Sequence, residues 1–172
     1  MSRAPAEFSR QVLLARLGSE PFHQHIAASE VERDALARRF DLVSLDRLDA
    51  EVELVREPAG TILLSATFEA AFAQACIVTF DPVPGQIGEC FQLRYGPPEA
   101  EDEARAGDDG PTFEPLESDS IDIGEAVAQE FSLALPPFPR AADAVIEVGV
   151  PTEDEANSPF AALAKFRRGE PQ

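Results

Sequence analysis

The sequence predicts an α+β fold, a curved antiparallel sheet or partial β-barrel of about four to six strands packed with two or three helices. Three observations predict it. Leu48, Ala50, Val52 and Leu54 alternate with Asp49, Glu51, Glu53 and Val55. Ile62, Leu64, Ala66, Phe68, Ala70 and Phe72 recur at every second position, the period of a strand with one buried face. Helix starts are written at Ser29 and Asp122, each with Glu three residues later, a spacing that lets side chains satisfy free backbone N–H groups. A chain of 172 residues, 44% apolar, can bury roughly 70% of its unfolded surface. One domain spanning 1–172 is the expectation.

The elements follow in order. Phe8 to Leu14 and Phe22 to Ile26 are apolar-rich runs separated by the turn-like Leu17-Gly18-Ser19-Glu20-Pro21, and both read as strands. A helix runs from the Ser29/Glu32 capping box to about Phe40. The two alternating stretches form an antiparallel hairpin through Glu57-Pro58-Ala59-Gly60. Ile77 to Phe80 and Ile87 to Tyr95 suggest a second hairpin, linked by Asp81-Pro82-Val83-Pro84-Gly85, whose two prolines exclude a continuous central strand. Such a hairpin places Cys76 and Cys90 nearly opposite each other. Pro97 to Ser120 is acidic and rich in Gly and Pro, and reads as a disordered insertion. Beyond Asp122, the residues Ile123, Val127, Phe131 and Ala134 make one apolar stripe, ended by Pro136-Pro137. The tail over 151–172 is loose apart from a short helix after Ser158-Pro159 that carries Phe160, Leu163 and Phe166.

Charge narrows the function. The formal net charge is -18, which repels a phosphate backbone and attracts basic partners. Eight Arg stand against eleven acids over 1–60, but three against fifteen over 61–140. Any RNA-touching surface therefore falls in the N-terminal third, with Arg33, Arg38 and Arg39 as the leading candidates beside Arg10, Arg16 and Arg47. Acidic residues interleaved among them make ordinary solvated charge the simpler reading. No apolar run is long enough for a membrane span, and Met1 to Arg10 lacks the apolar stretch of a signal peptide. Two cysteines are too few for a secreted disulfide framework, so a cytoplasmic location with reduced thiols is expected.

No catalytic constellation is legible. His23 and His25 share one strand face, but a closed metal site needs further ligands, so they read as solvent-facing side chains. Cys76 and Cys90 read as small buried residues. The carboxylates lie in solvated segments, with no pair set apart for acid–base work. No Gly-rich loop has the Lys and strand-to-helix context of a phosphate cradle. The expectation is a protein without catalytic residues, cofactor or metal.

Two segments together resemble the YceD family. Cys76-Ile77-Val78-Thr79-Phe80-Asp81-Pro82-Val83 is similar to its Cys-x-x-Cys-x-x-Pro signature, and Asp122 through Glu130 to Leu133-Ala134-Leu135-Pro136-Pro137-Phe138-Pro139 is similar to its motif helix and closing prolines. The acidic stretch between them and Ser158 to Leu163 also match. The resemblance implies a non-enzymatic role in large-subunit (23S) rRNA accumulation and ribosome assembly. Thr79 and Arg140 stand where relatives carry Cys, so a Cys-based metal site is not expected here. With the acidic charge, this points to a basic ribosomal protein or ribosome-assembly factor as partner, and the candidate partner-binding residues are Asp122, Glu125 and Glu130 of the motif helix with Phe160 and Leu163 of the tail. The alternative is an RNA-binding module using the Arg-bearing N-terminal third. No membrane partner is expected, and the sequence leaves the oligomeric state open.

Overall fold

In the computed structural model, residues 6–57, 60–98, 110–116 and 118–145 are described. The chain divides into two units, Met1–Ala142 and Asp143–Gln172, and the fold that follows is that of the first.

The two alternating stretches become the centre of a sheet. Strand β3 (Ser44–Arg56) pairs antiparallel with β4 (Ile62–Ala75), with Leu54 opposite Leu64, Val52 opposite Ala66 and Leu48 opposite Ala70. All six are buried, so one face of the hairpin is continuous core. The Glu57 N–H donates to Thr61 O and the Gly60 N–H returns to Glu57 O. Gly60 has φ 82, a conformation that a Cβ would disfavour. On one side β2 (Phe22–Ala27) pairs antiparallel with β3, and on the other β5 (Pro82–Gly96) pairs antiparallel with β4. Strand β6 (Thr112–Pro115) then adds to β5 in parallel. The order β2-β3-β4-β5-β6 is open, so the sheet does not close into a barrel. A second, two-stranded sheet pairs β1 (Gln11–Leu13) with β7 (Ser120–Asp122).

Helix α1 (Glu30–Arg39) begins with the expected box: Glu32 N–H donates to Ser29 Oγ and Ser29 N–H to Glu32 Oε2. It ends at Asp41, whose φ of 54 is the left-handed residue after the helix, and the Leu42 N–H returns to Ala37 O. Helix α2 (Ile123–Ala134) lays Ile123, Val127 and Phe131 on the buried face of the sheet. The Phe131 ring meets Phe72, Phe40 and Phe68 edge-on at 5.7–6.3 Å between centroids.

Four expectations are corrected. The first strand is shorter than Phe8 to Leu14: it begins only at Gln11, and a 3-10 turn takes over at Leu14–Arg16. The second hairpin turns at Ile77–Thr79, not through Pro84-Gly85, since β4 runs on to Ala75. Pro82 and Pro84 stand inside β5, on the part of it that has no outer neighbour among the described residues, where a missing N–H breaks no ladder bond. Cys90 consequently faces Thr67 rather than Cys76, and it is exposed while Cys76 is buried. Finally, β6 and the start of β7 are ordered strands within the 97–120 stretch read as disordered; 99–109 and 117 lie outside the described residues.

Candidate functional site

Asp122 is where the site begins. Its Oδ1 accepts from the backbone N–H of Glu125 (3.2 Å), which caps α2, and from that of Arg10 (2.8 Å); its Oδ2 accepts from Ser9 Oγ (2.6 Å). One carboxylate thus ties the N-terminal segment to the helix start. The chain passes so close there that a Cβ on Gly124 would lie 2.4 Å from Phe8 O, which only glycine avoids. The Ile123 N–H completes the crossing by donating to Arg10 O (3.0 Å).

Beside this joint, α2, β6, the end of β5 and the N-terminal segment enclose a cleft of about 480 Å³. Tyr95, Glu114, Asp122, Glu125 and Gln129 are among its walls. Its carboxylates differ in how they are held. Glu125 is gripped by Arg39 through two bonds of 2.8 and 2.9 Å, and Arg39 also reaches Glu7 at 2.9 Å. Those carboxylates raise the Arg39 guanidinium further above its ordinary range. Glu114, the half-buried Glu130 on α2 and Glu89 on β5 make no ion pair among the described residues. Burial, and then the negative charges of Glu114 and Glu89, hold the Glu130 carboxyl above the usual range. Burial likewise raises the Tyr95 phenol, with Glu114, Asp122 and Glu130 adding to it.

Elsewhere arginine neutralises half-buried Glu32 and Glu57. Arg10 holds Glu32 in a fork of 2.6 and 3.0 Å, and that hydrogen bonding, with the Ser29 bonds, lowers the Glu32 carboxyl to about 2. Arg94 and the Thr61 hydroxyl lower Glu57 in the same way. The acidic group at Glu89, Glu114 and Glu130 departs from this pattern, and its field favours a cation.

The arginines expected to meet RNA are spent differently. Arg33 donates to Ala28 O (2.8 Å) and Leu45 O (3.2 Å), and Arg39 is ion-paired as above. Arg38 is exposed and makes no ion pair among the described residues, but the shallow cleft it shares with Arg33 also carries Glu30, Asp34 and Asp46. Arg10 is paired with Glu32, and Arg47 with Asp49 and Glu69, whereas Arg16 is an exposed residue of the 3-10 turn. Phe160 and Leu163 lie outside the described residues.

The remaining sequence candidates separate. His23 and His25 are exposed on the outer sheet face, near Glu53 (3.4 Å) and Asp49 (4.0 Å). His23 borders an open hollow of about 750 Å³ that also includes Cys90. Cys76 is enclosed by donors: the Thr79 hydroxyl, then the N–H groups of Ala141, Thr79 and Val78, lower its thiol to about 6 against the opposing effect of burial. Among the described residues no group of three or more His, Cys, Asp or Glu is placed to hold a metal ion. No helix among them is long and apolar enough to cross a membrane. Tyr95, Glu114, Gln129 and Glu89 were not legible as site residues. The one signal was the Thr-Phe-Glu-Pro alternation at 112–115, which marks a short edge strand inside an acidic stretch.

Fold and cleft together define an α+β protein with an open sheet and an acidic recess between the last strands and a capped helix. The family model described as large ribosomal RNA subunit accumulation protein YceD matches residues 64–167. The chain belongs to that family, whose description indicates a role in large ribosomal RNA accumulation. The match begins in β4 and takes in Cys76, the acidic stretch and α2. No curated protein and no solved structure matches the chain.

Proposed function

We propose that this protein acts by binding rather than by catalysis, in the cytoplasm, supporting 23S rRNA accumulation and ribosome assembly by holding a basic ribosomal protein or assembly factor. One observation carries the reading: among the described residues Glu89, Glu114 and Glu130 form an acidic group that makes no ion pair, whereas half-buried Glu32 and Glu57 are matched by arginine. Unbalanced charge of this kind costs stability by itself and is relieved when a cation docks. The arginines of the N-terminal third, largely committed to intramolecular partners, give less support to direct RNA binding.

Affinity purification from cells at low and moderate salt tests the proposal. Basic large-subunit proteins should co-purify and be lost as salt rises, and deletion of the gene should reduce mature 23S rRNA. Recovery of rRNA alone by the purified protein, or of no basic component with unchanged rRNA levels, contradicts it.

A further inference from the structure

The outer edge of β5 offers a backbone template beside the acidic group. Two bonds fix its direction. The Cys76 N–H donates to Asp81 O (2.8 Å) on the β4 side, and the Leu116 N–H donates to Gly96 O (2.7 Å) on the β6 side. Backbone groups of even-numbered β5 residues therefore point outward, away from β4. Strand β6 uses the stretch from Leu93 to Gly96. Pro82 and Pro84 block the opposite end, having no N–H to offer. Between them, Gln86, Gly88 and Cys90 direct N–H and C=O groups outward, and no strand among the described residues pairs with them, whereas the parallel Leu93–Thr112 pair already uses Gln92 O.

The side chains along this edge say what fits. On the helix-bearing face, half-buried Ile87 and Phe91 flank exposed Glu89, whose charge acts on Glu130. A second copy of the chain fits poorly. The antiparallel register that uses these three positions sets Glu89 against the other copy's Ile87 and gives it no cation, in a protein of net charge -18. A strand with apolar residues against Ile87 and Phe91 and a cation against Glu89 matches both the ladder and the charge.

We infer that the Gln86–Cys90 edge of β5 receives an extended cationic peptide segment as an additional strand, by β-augmentation. The inference rests on the basic-partner reading and adds how the partner is held: main-chain bonds supply affinity, and Glu89 with Glu130 selects positive charge.

The test uses the full chain and a short lysine–valine peptide, Val-Thr-Lys-Thr-Val, which sets valines against Ile87 and Phe91 and lysine against Glu89, with its backbone N-methylated counterpart as control. Amide exchange at Gln86, Gly88 and Cys90 should slow by at least about tenfold with the first peptide, and the N-methylated peptide should bind at least about tenfold more weakly. Gly88→Pro should weaken binding by a similar factor. Its N–H points away from β4, so the fold should persist, and circular dichroism checks this. Glu89→Lys should reverse the preference toward a glutamate–valine peptide. Binding of the lysine–valine peptide without protection at those three amides overturns the edge-strand inference and leaves the basic-partner reading standing. Binding of neither peptide also overturns it, with the partner reading then judged by co-purification. Protection that grows with protein concentration alone would assign the edge to a second copy and overturn it as well.

Discussion

Glu32 and Glu130 show how one residue type is put to opposite uses. Glu32 is hydrogen-bonded by Arg10 and Ser29, and its carboxyl falls to about 2 from an ordinary value of 4.5. A lowered folded-state value contributes stability above about pH 4.5 that is lost as pH falls toward 2. With its side chain partly solvated, that contribution is on the order of 1–2 kcal/mol. Glu32→Gln should therefore flatten the acid limb of a urea-stability profile between about pH 5 and pH 2, and an unchanged limb would show that the pair contributes nothing. For Glu130 the sign is reversed. Its raised carboxyl is tolerated below the unfolded value and costs stability as pH rises through the folded one. A residue kept at such a cost is more readily explained by binding than by folding.

Among the elements, α2 is the joint on which the cleft depends. Asp122 caps it and holds Ser9 and Arg10, so Asp122→Ala removes one cap and two long-range bonds together. The expected loss is about 2–3 kcal/mol in chemical unfolding. A loss below about 0.5 kcal/mol would mean that the joint is held by Ile123 and Phe131 packing instead. Both helices, their caps and the β3–β4 hairpin were legible in the sequence, because capping and alternation are local rules acting through Ser29, Asp122 and the Leu48–Leu54 and Ile62–Phe72 runs. The length of β5 was not. Its prolines read as a turn until the structure shows them on an edge without an outer neighbour among the described residues. Strand β6 was missed for a related reason, since parallel pairing with β5 is non-local and its four residues lie in an acidic stretch. Of the expected site residues, Asp122, Glu125 and Glu130 come together along one helix. The sequence did not show that Arg39 grips Glu125, nor that Glu114 and Glu89 join Glu130, because both arrangements depend on tertiary placement.

At the scale of the molecule, in the proposed reading, the net charge of -18 makes association with a basic partner fast and salt-sensitive, while the local acidic group sets where that partner sits. Net charge alone would attract any cation to any face. The proposed contact lies instead at Glu89, Glu114 and Glu130, beside the β5 edge and the cleft of Tyr95 and Gln129. The most direct measurement is a binding titration of the co-purifying basic protein against the wild-type chain and against Glu114→Gln with Glu130→Gln, at one fixed salt concentration. The double variant should be at least as stable in urea and bind at least about tenfold more weakly. Equal affinity of the two proteins for that partner would contradict it.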